Sequence, residues 1–258
     1  MVQSAPVEQG MVVMNKQNKL KTFSFKQFSL TTGNCGMPVS TDSVILGAWS
    51  RKPSSLNPAI PPQILDIGTG TGILALMCAQ RFSEAEITAI DIDSEAIQSA
   101  TMNFQQSPWQ ARIQIKHQDV LTCQTSHKFD AIICNPPYFN SGQTASVSSR
   151  ATARHTIDLS HQQLLQVCHT LLTSSGKASF ILPVNEGELF IQTALNCGWS
   201  LSRYCAVQPT IHKPCHRLLM EFSPAPVSSC EKTTLIIRDN QHYSDDFVLL
   251  TKDFYLKM

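Results

Sequence analysis

No apolar run in these 258 residues approaches the about 18 that a helix needs to cross a bilayer. Met11-Val12-Val13-Met14 is too short for the core of an export signal, so neither a membrane anchor nor secretion is expected. The nine cysteines include no C-x-x-C pair, which argues for free thiols in a reducing compartment, the cytoplasm. Cys78, Cys134, Cys168 and Cys197 stand in apolar segments and read as small core residues. An excess of one charge is also missing. Twenty Lys and Arg face nineteen Asp and Glu, so no whole-molecule field can gather an anionic partner, and any such footprint has to come from local clusters. His212-Lys213-Pro214-Cys215-His216 has the residue types of a metal site but not the usual zinc spacing. No second Cys/His pair stands near it, so no metal is expected. No internal repeat interrupts the chain. Its length leaves room for one large α/β domain with a good core, or for a domain with a small appendage.

Two motifs carry chemistry. Asn135-Pro136-Pro137-Tyr138 follows directly on the apolar run Phe129 to Cys134. Asn135 offers a side-chain carbonyl and Pro136 a backbone carbonyl, two acceptors that could take both N–H bonds of a planar exocyclic amine. Tyr138 adds a face on which a base could stack. A plain strand-ending turn of Asn and Pro competes with that reading when the motif stands alone. The second motif is Ile64-Leu65-Asp66-Ile67-Gly68-Thr69-Gly70-Thr71-Gly72-Ile73-Leu74, a strand, a glycine turn and the opening of a helix. Gly68, Gly70 and Gly72 let backbone approach a ligand, and a helix N-terminus after them suits polar or anionic groups. The spacing is G-x-G-x-G, which weakens a dinucleotide reading while keeping a nucleotide-like one.

Glu86 to Ile90 is a second short strand, ending in Asp91, near the offset at which an acid meets ribose hydroxyls. Asp93 competes, but with Ser94 and Glu95 beside it the simpler reading is a helix cap. Asp119 closes a third strand, where it is either a loop acid or a partner for an adenine amine.

In this order the four pieces make the chain resemble the class I S-adenosylmethionine-dependent methyltransferases. Asn135-Pro136-Pro137-Tyr138 is similar to the signature of those that methylate planar nitrogens. The resemblance implies a Rossmann-like α/β fold, with a mostly parallel seven-stranded sheet flanked by helices and a terminal antiparallel strand. It implies S-adenosyl-L-methionine as cofactor. Asp66, Gly68, Gly70 and Gly72 would lie beside its methionine part, Asp91 beside its ribose and Asp119 beside its adenine, with Ile92 and Val120 in the same cofactor site. Asn135 would border both cofactor and substrate. Segments outside this core extend the likeness: Phe25-Lys26-Gln27-Phe28, Met37 to Trp49, Gln106-Ser107-Pro108-Trp109, Pro214-Cys215-His216-Arg217 and the end from Phe247 to Met258. With them the chain resembles the bacterial family that methylates the 6-amino group of adenine 37, 3′ to the anticodon of a valine tRNA. That resemblance implies a tRNA partner and places Thr41 near the methionine end of the cofactor. Cys215 stands where the family is expected to be more basic, which weakens an RNA contact there.

Residues 1–20 are expected to be disordered, and 21–258 to form a single domain with a small extension over 21–50. Thr41-Asp42 is expected to cap a helix, and Ser244 another. Leu159 to Thr173 has helical periodicity, Lys177 to Pro183 reads as a strand, and Glu186 to Cys197 as a helix ending at Gly198. Trp199 to Val207 and His216 to Phe222 read as a strand pair, with a further strand at Thr233 to Arg238. Candidate RNA contacts are Lys21 and Lys26 near the start, Arg150 and Arg154 in the polar stretch after the Asn-Pro-Pro-Tyr turn, and Arg217. A monomer is expected. A guanine methyltransferase of ribosomal RNA usually has Phe in place of Tyr138, and a protein glutamine methyltransferase usually carries a separate helical domain. These are the nearest alternatives. A DNA adenine methyltransferase would need a target-reading insertion, and a dehydrogenase would need the other glycine spacing.

Overall fold

The computed structural model describes residues 21–32, 39–53, 55, 59–137 and 160–257. β1 (Lys21–Ser24) and β2 (Ser29–Thr32) form a small antiparallel hairpin. α1 (Thr41–Trp49), β3 (Gln63–Ile67), α2 (Ile73–Arg81), β4 (Glu86–Asp91), α3 (Ser94–Gln105) and β5 (Ile113–His117) follow. Next come β6 (Phe129–Cys134), α4 (His161–Leu171), β7 (Leu172–Pro183), α5 (Val184–Asn196) and β8 (Ser200–Thr210). The last elements are β9 (Arg217–Ser223), β10 (Glu231–Asp239), β11 (His242–Tyr243) and α6 (Asp245–Thr251).

One sheet runs β11-β10-β8-β9-β7-β6-β3-β4-β5. The seven strands from β8 to β5 are the expected α/β sheet, in which only β9 runs antiparallel, wedged between β7 and β8. β10, the further strand expected at Thr233 to Arg238, and the short β11 continue the same sheet beyond seven strands. β10 pairs parallel with β8, and the two-residue β11 turns back along it. Alternation along each strand feeds two cores. Ile64, Ile133, Leu219 and Val207 face one layer with Val44, Leu76, Ala100 and Phe247, under α1, α2, α3 and α6. Leu65, Ile132, Phe180 and Phe222 face the other, with Leu164, Leu165 and Phe190 of α4 and α5.

Local chemistry explains most boundaries. Asp93 caps α3 by accepting from the Glu95 N–H, and Ser244 caps α6 by accepting from that of Phe247. The α1 cap is Ser40, which accepts from the Ser43 N–H, so Thr41-Asp42 is the first turn and not the cap. β7 begins at Leu172, earlier than Lys177. Thr173 to Gly176 look like turn residues by composition, but extended backbone continues through them alongside β6, across a bulge between Phe129 and Ala131. Cys78, Cys134 and Cys168 are buried as expected, whereas Cys197 is half-buried at the end of α5.

The carboxyl end of α1 is held by side chains of two distant elements. Arg81 of α2 donates through Nη1 to the carbonyls of Gly47 (2.8 Å) and Ser50 (2.5 Å). Arg203 of β8 donates to the Trp49 carbonyl at 3.3 Å and stacks its guanidinium 3.9 Å from the Trp49 ring centre. These cations meet carbonyls that a helix end leaves unpaired, at the negative end of its dipole. Arg203 is in turn ion-paired to Glu221 of β9 at 3.2 Å, with the carboxylate side chain only 2% exposed. Removing Glu221 would leave buried Arg203 with only the half-exposed Glu231 carboxylate, 3.8 Å away, and breaking a buried pair in this way costs about 3–5 kcal/mol. Glu221→Ala is therefore expected to lose that much in urea unfolding. A loss under about 1 kcal/mol would show the pair to be dispensable.

Candidate active site

Strand register decides where the sequence motifs meet. β3 lies between β4 and β6, with Ile67 opposite both Ile90 and Cys134. Gly68, Asp91 and Asn135 therefore leave the sheet level with one another. β4 and β5 pair with Asp91 opposite His117, so Asp119 rises two residues beyond the same rim. After β3 the chain builds first to one side, through β4 and β5, and then to the other, through β6 and β7. The carboxyl ends beside such a reversal of order are where open α/β sheets bind ligands.

The glycine turn forms one wall. Gly68, Gly70 and Gly72 have φ of 68°, 56° and 85°. A Cβ at Gly68 or Gly70 would meet nothing within 4 Å, so this backbone borders open space. At Gly72 a Cβ would come within 2.3 Å of the Phe104 ring, so this glycine serves close packing of the turn on α3. The turn is tied on three sides. Gly68 and Thr69 donate to the Ile90 carbonyl, Gly70 donates to Asp91 Oδ2 at 2.9 Å, and Asn103 Nδ2 donates to the Thr71 carbonyl at 2.8 Å. Asn103 also brackets Thr31, accepting from its N–H at 2.8 Å and donating to its carbonyl at 3.2 Å, which fastens the β1–β2 hairpin beside the turn. Its only signal in the sequence was an amide on the buried face of a helix, beside Ala96, Ala100 and Phe104.

Asp66 is fully buried. Its Oδ2 accepts from the Thr69 hydroxyl at 2.6 Å and from the Ala75 N–H at 3.1 Å, joining strand, turn and helix. Its Oδ1 is buried without a hydrogen-bond partner. Burial pushes its carboxyl up to about 7, against the opposing effect of those two hydrogen bonds. Asp91 is also raised by burial, while N–H bonds from Asp93 and Gly70 pull it back. Asp93 is committed to its cap, which leaves Asp91 as the acid on the rim. Asp119 accepts from the Leu121 N–H at 2.9 Å and caps the short 3-10 turn Val120–Thr122. Val120 is buried, but Ile92 is 51% exposed, an apolar side chain left open at the rim.

At the end of β6, Asn135 Nδ2 donates to Ser43 Oγ of α1 at 3.1 Å, while Asn135 Oδ1 is buried with no partner. Pro136 is buried and Pro137 exposed. Tyr138, Arg150 and Arg154 lie outside the described residues, as do residues 1–20. Thr41 is exposed in the first turn of α1. Arg217 donates from Nε to Asp42 Oδ2 at 2.7 Å, an ion pair that closes β9 onto α1. Lys26 donates to the Lys252 carbonyl at 2.6 Å, and Lys21 sits in β1 opposite Thr32, so both belong to the hairpin corner and not to the rim. The three groups at the rim that sequence reasoning passed over are Asn103, Ser40 and Ser43. Among the described residues no three His, Cys, Asp or Glu side chains cluster as metal ligands, and no helix is long and apolar enough to cross a membrane.

The chain is similar to proteins named tRNA1(Val) (adenine(37)-N6)-methyltransferase. The Vibrio parahaemolyticus protein is 55% identical over 94% of this chain and 100% of its own length. The Vibrio campbellii protein is 56% identical over 92% and 97%, and the Aliivibrio fischeri protein 51% over 92% and 99%. The chain belongs to this methyltransferase family. Residues 54–178 also match the family model of the methyltransferase small domain. Two solved structures share the fold. A predicted O-methyltransferase from Agrobacterium tumefaciens aligns with a TM-score of 0.61 at 17% identity, covering 83% of this chain and 96% of its own. A Listeria monocytogenes protein, classed as a class I S-adenosylmethionine-dependent methyltransferase, aligns with a TM-score of 0.52 at 14% identity, covering 67% and 58%.

The rim of this methyltransferase fits a cationic, nucleoside-like cofactor. It offers a glycine turn bordering open space, a buried carboxylate oxygen without a donor, a second acid at the end of β4 and an open apolar side chain at Ile92. Asp66 has a consequence for pH. Its carboxyl titrates near 3.8 when unfolded and about 7 when folded, so the folded protein binds that proton more tightly. Its contribution to stability is whole below pH 3.8 and is lost as pH rises through 7. Without cofactor, Asp66→Asn is expected to gain roughly 2 kcal/mol on the parent protein between pH 5 and pH 8. Urea midpoints at the two pH values check this, and parallel pH dependences would refute it.

Proposed function

We propose that this protein transfers a methyl group from S-adenosylmethionine to the 6-amino group of adenine 37 in a valine tRNA. The observation that carries the chemistry is the unpartnered, buried Oδ1 of Asn135 at the sheet rim. A buried acceptor with no donor is costly unless a ligand completes it. The base and the RNA come from the relatives' names, which this chain matches over nearly its whole length.

When bound, S-adenosylmethionine would supply an electrophilic methyl carbon on its sulfonium, whose sulfur keeps the electron pair of the broken S–CH3 bond and leaves as the neutral thioether. In this reading Asp66 and the turn Gly68–Gly72 hold its methionine part, Asp91 its ribose, and Ile92, Asp119 and Val120 its adenine. The target adenine stacks on Tyr138. Its amine donates one N–H to Asn135 Oδ1 and the other to the Pro136 carbonyl. Both acceptors draw the nitrogen out of conjugation with the ring and aim its lone pair into the crevice. Positive charge builds on that nitrogen as the new bond forms, so fixed acceptors bind it more strongly then than before. The surplus proton then passes to water, and no strong base is needed. Transfer from a sulfonium to an amine requires neither a Lewis acid nor a redox centre, and one chain carries every group named. The reading therefore takes a metal-free monomer working on tRNA in the cytoplasm. Arg150, Arg154, Lys21 and Lys26 are its candidates for phosphate contact, while Arg217 acts through Asp42.

Asn135→Ala is expected to lower turnover about 10²- to 10³-fold at saturating cofactor. The assay is label transfer from methyl-labelled S-adenosylmethionine into a valine tRNA transcript, with a second transcript carrying guanine at position 37. Label in the second transcript would sink the base assignment, and full turnover by the Asn135 variant would sink the role of the amide.

A further inference from the structure

We propose that Ser43, on the first turn of α1, is a positioning residue for methyl transfer: it sets the side-chain amide of Asn135 so that the carbonyl oxygen faces the incoming amine. The inference rests on the function proposed above and deepens it.

An asparagine amide turns about a broad, roughly two-fold torsion, so the backbone alone does not decide whether oxygen or NH2 faces the crevice. The difference matters, because an NH2 facing an exocyclic amine sets donor against donor. In this structure Asn135 Nδ2 lies 3.1 Å from Ser43 Oγ, and Oδ1 is left without a partner. A serine hydroxyl can donate as well as accept, so a second contact has to settle its polarity. Ser40 lies where it can do so. The two hydroxyl oxygens are 2.9 Å apart and either can donate to the other, while Ser40 Oγ also accepts the Ser43 N–H at 3.1 Å as the helix cap. In the proposed arrangement the Ser43 proton goes to Ser40, and the lone pairs of Ser43 then face Asn135 and receive its NH2. The carbonyl oxygen is then the end that remains for substrate.

The position of Ser43 is itself fixed. Its side chain is 8% exposed, Asp42 beside it is ion-paired to Arg217, and the far end of α1 is held by Arg81 and Arg203. Ser43 thus stands on a clamped helix and reaches the end of a different strand. None of this requires Ser43 to touch cofactor or substrate.

The test compares Ser43→Ala and Ser43→Thr with the parent protein on the valine tRNA transcript. Ser43→Ala is expected to lower kcat about 10- to 100-fold, the scale of a misplaced reacting group. KM for S-adenosylmethionine should change less than about threefold, and Ser43→Thr should recover most of the rate because it keeps the hydroxyl. In the free protein, the Asn135 side-chain amide, assigned by NMR through the Asn135→Ala spectrum, should exchange with water more slowly in the parent and in Ser43→Thr than in Ser43→Ala. Unchanged kcat in Ser43→Ala would overturn the proposal. So would equal slowing by Ala and Thr, which would assign the effect to packing, or fast amide exchange in the parent protein. A parent protein that methylates no adenine in the transcript would instead overturn the functional reading, while the exchange result would still report on the hydrogen bond.

Discussion

Alignment of three strand ends is the constraint on which the site depends. Ile67 of β3 faces Ile90 and Cys134, so the next residue of each strand, Gly68, Asp91 and Asn135, emerges at one level. A slip of one residue in either pairing would turn Asp66 away from α2 and send Ile64 and Ile133 into the wrong core. The same alternation that keeps Leu65 and Ile132 under α4 keeps the Asp66 carboxylate against the amino end of α2, where it binds turn and helix together. Hydrophobic pattern and chemistry are thus set by one register.

The rim is built from groups that pin one another and still leave acceptors over. Asp91 receives the N–H groups of Gly70 and Asp93, Asp66 the hydroxyl of Thr69 and the N–H of Ala75, and Asn103 ties the glycine turn to the β1–β2 hairpin. Gly68 and Gly70 face open space, and the oxygens Asp66 Oδ1 and Asn135 Oδ1 are buried but unpaired. A turn that was merely a fold feature would be expected to satisfy those atoms internally. That two such oxygens stand together at the ends of neighbouring strands is in keeping with the family to which the chain belongs.

α1 connects the rim to a polar patch within the sheet. Its carboxyl end rests on Arg81 and on Arg203, which Glu221 neutralises. Its amino end presents Ser43 to Asn135 and Asp42 to Arg217. Arg217 shows why a basic residue in the sequence is a poor guide to RNA contact in a chain of near-zero net charge. Its Nε is used inside the fold, as the Lys26 ammonium is used at the Lys252 carbonyl.

Much of this was legible in the residues alone. Period-two and period-3.6 patterns, the glycine turn, the caps at Asp93 and Ser244, and the Asn-Pro-Pro-Tyr signature depend on neighbours within a few positions, so they could be read from the chain, and the family resemblance they carry implied the fold and the reaction class. The strand at Thr233 to Arg238 was legible too, but its joining the main sheet beside β8 was not, and Ser40 replaced Thr41-Asp42 as the cap, because edge pairing and cap geometry depend on backbone angles that adjacent hydroxyl and acid residues all tolerate. Ser43 with Asn135, Asn103 with Thr71, Arg203 with Glu221 and Arg217 with Asp42 are pairs far apart in sequence. None has a pattern of its own, since a single polar residue on a buried face looks the same whether or not a partner waits across the core. Local chemistry therefore determined which elements form and which motifs are candidates for the chemistry. Only the packing of distant elements decided which polar atoms are consumed by the fold and which are left for a ligand.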